Sequence, residues 1–180
     1  DELIAVMKHS KKICRHLHLP LQSGSTRILK EMNRRYTKEQ YLALAKKIRT
    51  EIPDIALTTD IIVGFPGETE ELFMETYRFL EEIRPAFIHI FPYSIRPNTV
   101  AADMPGQVDS QVKDERVKRL EELSDRLHSE FCLSNKGREE EVLFESTMKG
   151  GMMYGYTRNY IKVERPYNRD EIGKIVKVTI

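Results

Sequence analysis

The chain has 180 residues, the length of one ordinary domain with a small appendage, and its 40% hydrophobic and 32% charged content is that of a soluble globular fold. No apolar run reaches the ~20 residues of a membrane span, and Asp1-Glu2-Leu3 carries neither an initiator Met nor a signal pattern, so it reads as a cut end. Two isolated cysteines, Cys14 and Cys132, exclude a disulfide framework, a four-cysteine zinc site and an iron–sulfur cluster held by this chain alone, and read as buried apolar-type thiols of a reduced compartment. The near-neutral total hides an uneven distribution: residues 1–49 carry +8, residues 50–130 carry −9 and residues 131–180 carry +2. The basic first quarter suits phosphate or simply solvated helix faces.

In chain order, residues 2–9 read as the end of a helix and Ile13–Leu21 as a strand, its apolar positions falling mostly on a period of two. Gln-Ser-Gly-Ser turns the chain into a short helix from Thr26 to about Arg34. Thr37 with Gln40 forms a capping box for a second helix that Pro53 stops. Residues 56–64 are a β-branched run without polar alternation, as in a strand covered on both faces. GFPGET leads into a helix capped by Thr69 and stopped at Pro85. A third strand spans 86–94, followed by an irregular stretch, and a long helix spans 109–136 with Val117, Leu120, Leu123, Leu127 and Phe131 as its stripe. Three strand–helix pairs predict parallel βαβ units, too few to close an eight-stranded barrel.

After Gly137 the pattern changes to short strands separated by Lys149-Gly150-Gly151 and Tyr167-Asn168-Arg169-Asp170, the reading of a small antiparallel barrel. The domains expected are therefore 1–136 and 137–180.

Ligand sites in parallel α/β folds gather on loops at the C-terminal ends of strands. Here those are Gln22–Ser25, Gly64–Thr69 and Pro92–Asn98, rich in small residues, hydroxyls and one fixed cation, Arg96. His18 and His89 lie within strands, as ordering groups or as core histidines. They lack an evident third ligand, so no metal site is expected. Asp60 sits mid-strand and needs partners, either backbone or serine groups near the first loop or a ligand. GFPGET lacks the lysine of a phosphate-binding P-loop, and no nucleophile elbow occurs. In the terminal segment Tyr154, Tyr156 and Tyr160 interleave with Lys149, Arg158 and Lys162, a pattern for stacking bases and meeting phosphates.

The runs HLHLPLQSGSTRILKEMNRRYT, TTDIIVGFPGETEELF and FIHIFPYSIRPNTVAADMPGQV resemble the later half of the radical S-adenosylmethionine domain of the methylthiotransferases, and VLFES…GYTRNYIKV…GKIVKV resembles that family's TRAM barrel. The resemblance implies a radical SAM half-barrel of (β/α) units followed by a TRAM-like RNA-binding β-barrel. HIFPYSIRPNTVAADMP with NYIKV is most similar to the branch that methylthiolates N6-threonylcarbamoyladenosine in tRNA. The isopentenyladenosine-tRNA and ribosomal-protein branches are alternatives, as is a non-catalytic RNA-binding module.

The implied reaction uses a reduced [4Fe-4S] cluster to cleave S-adenosylmethionine, with a second cluster supplying sulfur. By motif, Gln22, Ser23, Ile62, Gly64, Phe65, Pro66, Tyr93 and Arg96 are expected to line the S-adenosylmethionine pocket. Lys149, Tyr154, Tyr156, Arg158, Tyr160 and Lys162 are expected to meet tRNA. The family's CxxxCxxC motif and its three further cluster cysteines do not occur in this chain. It is accordingly expected to be an inactive C-terminal fragment of a cytoplasmic enzyme, lacking the N-terminal domains of the same polypeptide and prone to self-association through an open edge at Ile13–Leu21.

Overall fold

The computed structural model describes residues 1–180. Its elements are α1 (Glu2–His9), β1 (His16–His18), α2 (Thr26–Glu31), α3 (Lys38–Glu51), β2 (Ala56–Val63), α4 (Glu70–Ile83), β3 (Phe87–Pro92), α5 (Val100–Asp103), α6 (Ser110–Asn135), β4 (Glu139–Lys149), β5 (Met152–Thr157), β6 (Lys162–Pro166) and β7 (Ile175–Thr179), with a 3-10 turn at Arg169–Glu171. Two compact units emerge. One comprises 18–47 and 57–129, the other 1–17, 48–56 and 130–180.

A three-stranded sheet runs in the order β1-β2-β3, with β2 and β3 parallel and Thr58 through Val63 in register with Phe87 through Pro92. Alternation along β2 and β3 sorts the side chains. Leu57, Ile61, Val63 and Ile88 are buried, whereas Phe87, His89 and Phe91 are exposed and Asp60 is half-buried. In the unit formed by 18–47 and 57–129, the core is completed by Leu21, Ile28, Leu29, Phe73, Phe79, Leu80, Leu120 and Leu123. The expected strand Ile13–Leu21 shrinks to three residues. Beyond it the chain keeps contact with β2 by single bonds, Leu19 N–H to Thr58 O and Gln22 N–H to Asp60 O, because Pro20 offers no donor and Gln22 takes a left-handed φ of 70°.

Helix boundaries follow their caps. The Thr37 N–H donates to Gln40 Oε1 at 3.0 Å and the Gln40 N–H returns to Thr37 Oγ1 at 3.3 Å, the reciprocal box the sequence predicts. Thr69 caps α4 through Leu72 N–H, and Arg84 closes it in the left-handed conformation just before Pro85. The short helix α5 lies in what the sequence presents as an irregular stretch.

In the other unit the four strands form an antiparallel sheet ordered β6-β5-β4-β7, around a core of Val142, Phe144 and Met153 with Val163, Val176 and Val178 against it. Gly150 and Gly151, at φ 61° and 78°, make the β4–β5 turn that the Lys-Gly-Gly sequence predicts. Cys14 is exposed rather than buried, because it lies in the irregular segment between α1 and β1; Cys132 is half-buried on α6, and burial pushes its thiol pKa up.

Candidate nucleic-acid interface and cofactor pocket

Loop 22–25 is held by α4. The Ser23 hydroxyl lies 3.2 Å from Thr76 Oγ1, which also accepts the Gly24 N–H at 3.1 Å. A Cβ on Gly24 would stand 2.7 Å from Thr76 Cα, so only glycine permits this approach. Ser23 is thus fully buried and its hydroxyl is engaged within the fold. Gln22 exchanges backbone bonds with β2, donating to Asp60 O and accepting from Ile62 N–H, while its Oε1 accepts from Arg34 Nη2 at 3.3 Å.

The GFPGET loop is tied internally. Gly64 N–H donates to Glu68 Oε1 at 2.9 Å, Gly67 N–H to Gly106 O and Glu68 N–H to Phe65 O. Glu68 is 5% exposed and Arg116 4%; Arg116 Nη1 reaches Glu68 Oε1 at 2.9 Å and Glu68 O at 3.2 Å. Burial pushes the Glu68 carboxyl up, against the opposing pull of the Gly64 amide and the Arg116 guanidinium. The loop's glutamate is therefore a structural clamp onto α6. The aliphatic part of Lys113 covers Gly64, and its ammonium donates to Tyr93 O at 3.2 Å.

Phe65 and Pro66 are buried, and Phe65 meets the Tyr93 ring edge-on at 5.4 Å. The Tyr93 hydroxyl is buried without a hydrogen-bond partner, an arrangement that favours a polar ligand atom at that place. Ile62 is half-buried on the face of β2 that carries Asp60, and Arg96 is exposed on the following loop. The structure thus joins Gln22 to Ile62 and Phe65 to Tyr93, turns Ser23 inward, and leaves Arg96 in solvent. Of these residues only Tyr93 has a buried polar atom without a partner, so it is there that a small polar cofactor would find an unmet group. An iron–sulfur cluster does not fit this chain, since two cysteines fall short of the three or four thiolates it needs.

On the antiparallel sheet, Tyr156 faces solvent in register with Lys162 on one side and Leu143 on the other, and Leu143 in turn pairs with Ile175. Tyr156, Leu143 and Ile175 are all exposed. The Tyr160 ring lies 5.8 Å from Tyr156 and 4.4 Å from His16. Lys162 Nζ sits 4.1 Å above the Tyr154 ring. Exposed rings beside a cation are the elements from which base-stacking surfaces are built.

Arg158 Nη2 donates to Ser10 O and Ile13 O at 3.2 and 2.7 Å. Lys149 is exposed beside the β4–β5 turn. Sequence reasoning does not reach Leu143 and Ile175, which the strand register brings beside Tyr156, or His16, which meets Tyr160 through a contact distant in sequence.

The radical SAM superfamily signature matches residues 1–80 and the TRAM domain signature residues 133–180. A Bacillus subtilis (strain 168) protein named threonylcarbamoyladenosine tRNA methylthiotransferase is 48% identical over all of this chain and 41% of its own length. A Thermoanaerobacter sp. (strain X514) protein named tRNA-2-methylthio-N(6)-dimethylallyladenosine synthase is 49% identical over all of this chain and 39% of its own. The chain thus spans about two-fifths of these curated relatives. Among solved structures, the radical SAM enzyme coproporphyrinogen III oxidase from Escherichia coli shares the fold, with a TM-score of 0.55 at 15% identity over 87% of this chain and 47% of that one.

Proposed function

We propose that the chain, which carries radical SAM and TRAM signatures, belongs to the radical SAM methylthiotransferases and is the tRNA-binding, cluster-free part of an enzyme that installs a 2-methylthio group on N6-threonylcarbamoyladenosine next to the anticodon. The observation that carries this reading is the platform of Tyr156, Tyr160 and His16 beside Lys162. It offers ring faces to splayed-out bases and a cation to the backbone, as single-stranded loop recognition requires.

In this reading residues 1–136 form the later part of the radical SAM domain and 137–180 the RNA-binding barrel. Gln22, Ile62, Phe65, Pro66 and Tyr93 hold S-adenosylmethionine, which supplies the transferred methyl group. The Tyr93 hydroxyl would be available to donate to it, the Phe65 ring would shield it from water, and Arg96 would meet substrate phosphate or carboxylate. Lys149 and Lys162 contact tRNA phosphates. The clusters reside on segments outside this chain, in the same cytoplasmic polypeptide, and the chain by itself is inactive. By itself it also self-associates through the sheet, whose order leaves β1 and β3 at the edges.

The identity of about 49% to dimethylallyladenosine synthases supports a second reading, in which the substrate adenosine carries an isopentenyl group. Nucleoside mass spectrometry separates the two. A bacterial strain lacking its own methylthiotransferases is supplied with the polypeptide that contains this chain. Restored 2-methylthio-N6-threonylcarbamoyladenosine supports the first reading, the isopentenyl counterpart supports the second, and neither product overturns both.

A further inference from the structure

Three strands each contribute one metal-ligating side chain to the same level of the parallel sheet. Asp60 on β2 stands in register with His89 on β3. His18 on β1 is brought alongside by the bond from Leu19 N–H to Thr58 O, so that its Nε2 lies 3.2 Å from Asp60 Oδ2. One donor atom from each residue falls within 4.8 Å of the other two, and the two imidazole rings stand 5.5 Å apart at 68°.

Each ring is also oriented from behind. His18 Nδ1 lies 3.0 Å from the Thr58 hydroxyl, which leaves Nε2 turned toward Asp60. The Phe87 ring meets His89 edge-on at 5.1 Å and is itself backed by His128 at 6.0 Å. Orientation of a ligating imidazole through its other nitrogen is a recurrent feature of metal sites. The side chains are 39% exposed at His18 and 25% at Asp60, so the cluster is open to an entering ion. Two imidazoles and one carboxylate suit late first-row divalent metals, whereas calcium and magnesium require oxygen donors.

We propose that His18, Asp60 and His89 form a binding site for a late first-row divalent cation, with its remaining positions open to water or a ligand. No thiolate takes part in it, and it does not depend on the identity of the tRNA substrate. Metal–nitrogen bonds of about 2.0–2.1 Å place tetrahedral donor atoms about 3.4 Å apart, so the widest gap closes by a modest side-chain rotation.

The test is a Co2+ titration of the metal-free 180-residue chain, followed by absorption and by Zn2+ competition. One equivalent is expected to bind with a ligand-field band and no thiolate charge-transfer band, and Zn2+ should displace it. Asp60→Asn and His89→Ala should each weaken binding at least tenfold, Thr58→Val should weaken it to a smaller extent, and His9→Ala and Cys14→Ser should leave it unchanged. As a check independent of whether any variant folds, Co2+ should shift the ring-proton resonances of two histidines in the unaltered chain, assigned to His18 and His89. Absence of binding by the unaltered chain, binding that survives both ligand substitutions in folded variants, or large contact shifts of the kind given by directly bound imidazoles at histidines other than these two would overturn the proposal.

Discussion

Arg116 on α6 holds Glu68 of the GFPGET loop at 2.9 Å, and both side chains are almost wholly excluded from solvent. Arg116 also reaches Glu70 at 3.3 Å, while Glu70 takes Arg119 at 2.7 Å, and the Arg116 and Arg119 guanidinium groups flank the Phe73 ring. Breaking a buried pair by removing one partner leaves an uncompensated charge, a cost of about 3–5 kcal/mol. Glu68→Gln should therefore lower the urea midpoint sharply, whereas Glu68→Leu with Arg116→Met should recover much of the loss. Equal damage in the single and double variants would show that the pair is not the unit of stability.

Asn159 is 3% exposed and its amide is shared widely, donating to Asn135 Oδ1 at 3.1 Å and Asp54 O at 3.3 Å while accepting from Thr157 Oγ1 at 2.6 Å. Each buried group left without a partner costs about 1–3 kcal/mol. Asn159→Ala should lower the thermal midpoint and speed amide exchange in 157–161. An unchanged midpoint would mean that water replaces the amide at no cost.

Gly24 and Gly155 have no space for a side chain: an added Cβ would meet Thr76 Cα at 2.7 Å in the first case and Leu143 O at 2.6 Å in the second. Both alanine variants should be destabilised by about 1–3 kcal/mol, the range for overpacking. Gly67→Ala meets no neighbour, but its φ of 83° disfavours any side chain, so its loss should be close to ~1 kcal/mol. Chemical denaturation of the three variants gives the order directly, and a Gly67 variant as damaged as the other two would contradict the steric account.

Tyr160 holds a left-handed φ of 65° and is 55% exposed. That conformation is costly for a bulky residue and free for glycine. Tyr160→Gly is expected to keep or raise the melting temperature while weakening binding to an anticodon stem-loop RNA about 5- to 100-fold, the worth of one stacked base. Tyr156→Ala should weaken it similarly without loss of fold. Fluorescence anisotropy at fixed ionic strength measures both effects. Undiminished RNA binding by both variants would remove the platform from the tRNA interface.

The strand–helix alternation, the Thr37–Gln40 box, the Thr69 cap and the Gly150-Gly151 turn were legible from residue types alone, because each depends on neighbours within a few positions. What escaped depends on pairing across strands. Asp60 was recognisable as a carboxylate in need of partners, but its neighbour proved to be His18 rather than a backbone or serine group. The third donor missing beside His18 and His89 was Asp60 itself, visible only once β2 and β3 are in register. Likewise Ser23 reads as a free loop hydroxyl until α4 brings Thr76 against it.

The turn Thr157-Arg158-Asn159-Tyr160 assigns each of four successive residues a separate duty. Thr157 and Asn159 bind each other in the interior, Arg158 secures the segment at Ser10 and Ile13, and Tyr160 presents its ring outward beside His16. Inserting or deleting one codon here would exchange inward and outward positions, so the loss would fall on folding and surface recognition at once. Genetic variation can change the chemistry of Tyr160 alone, but it cannot change the length of the turn without disturbing both.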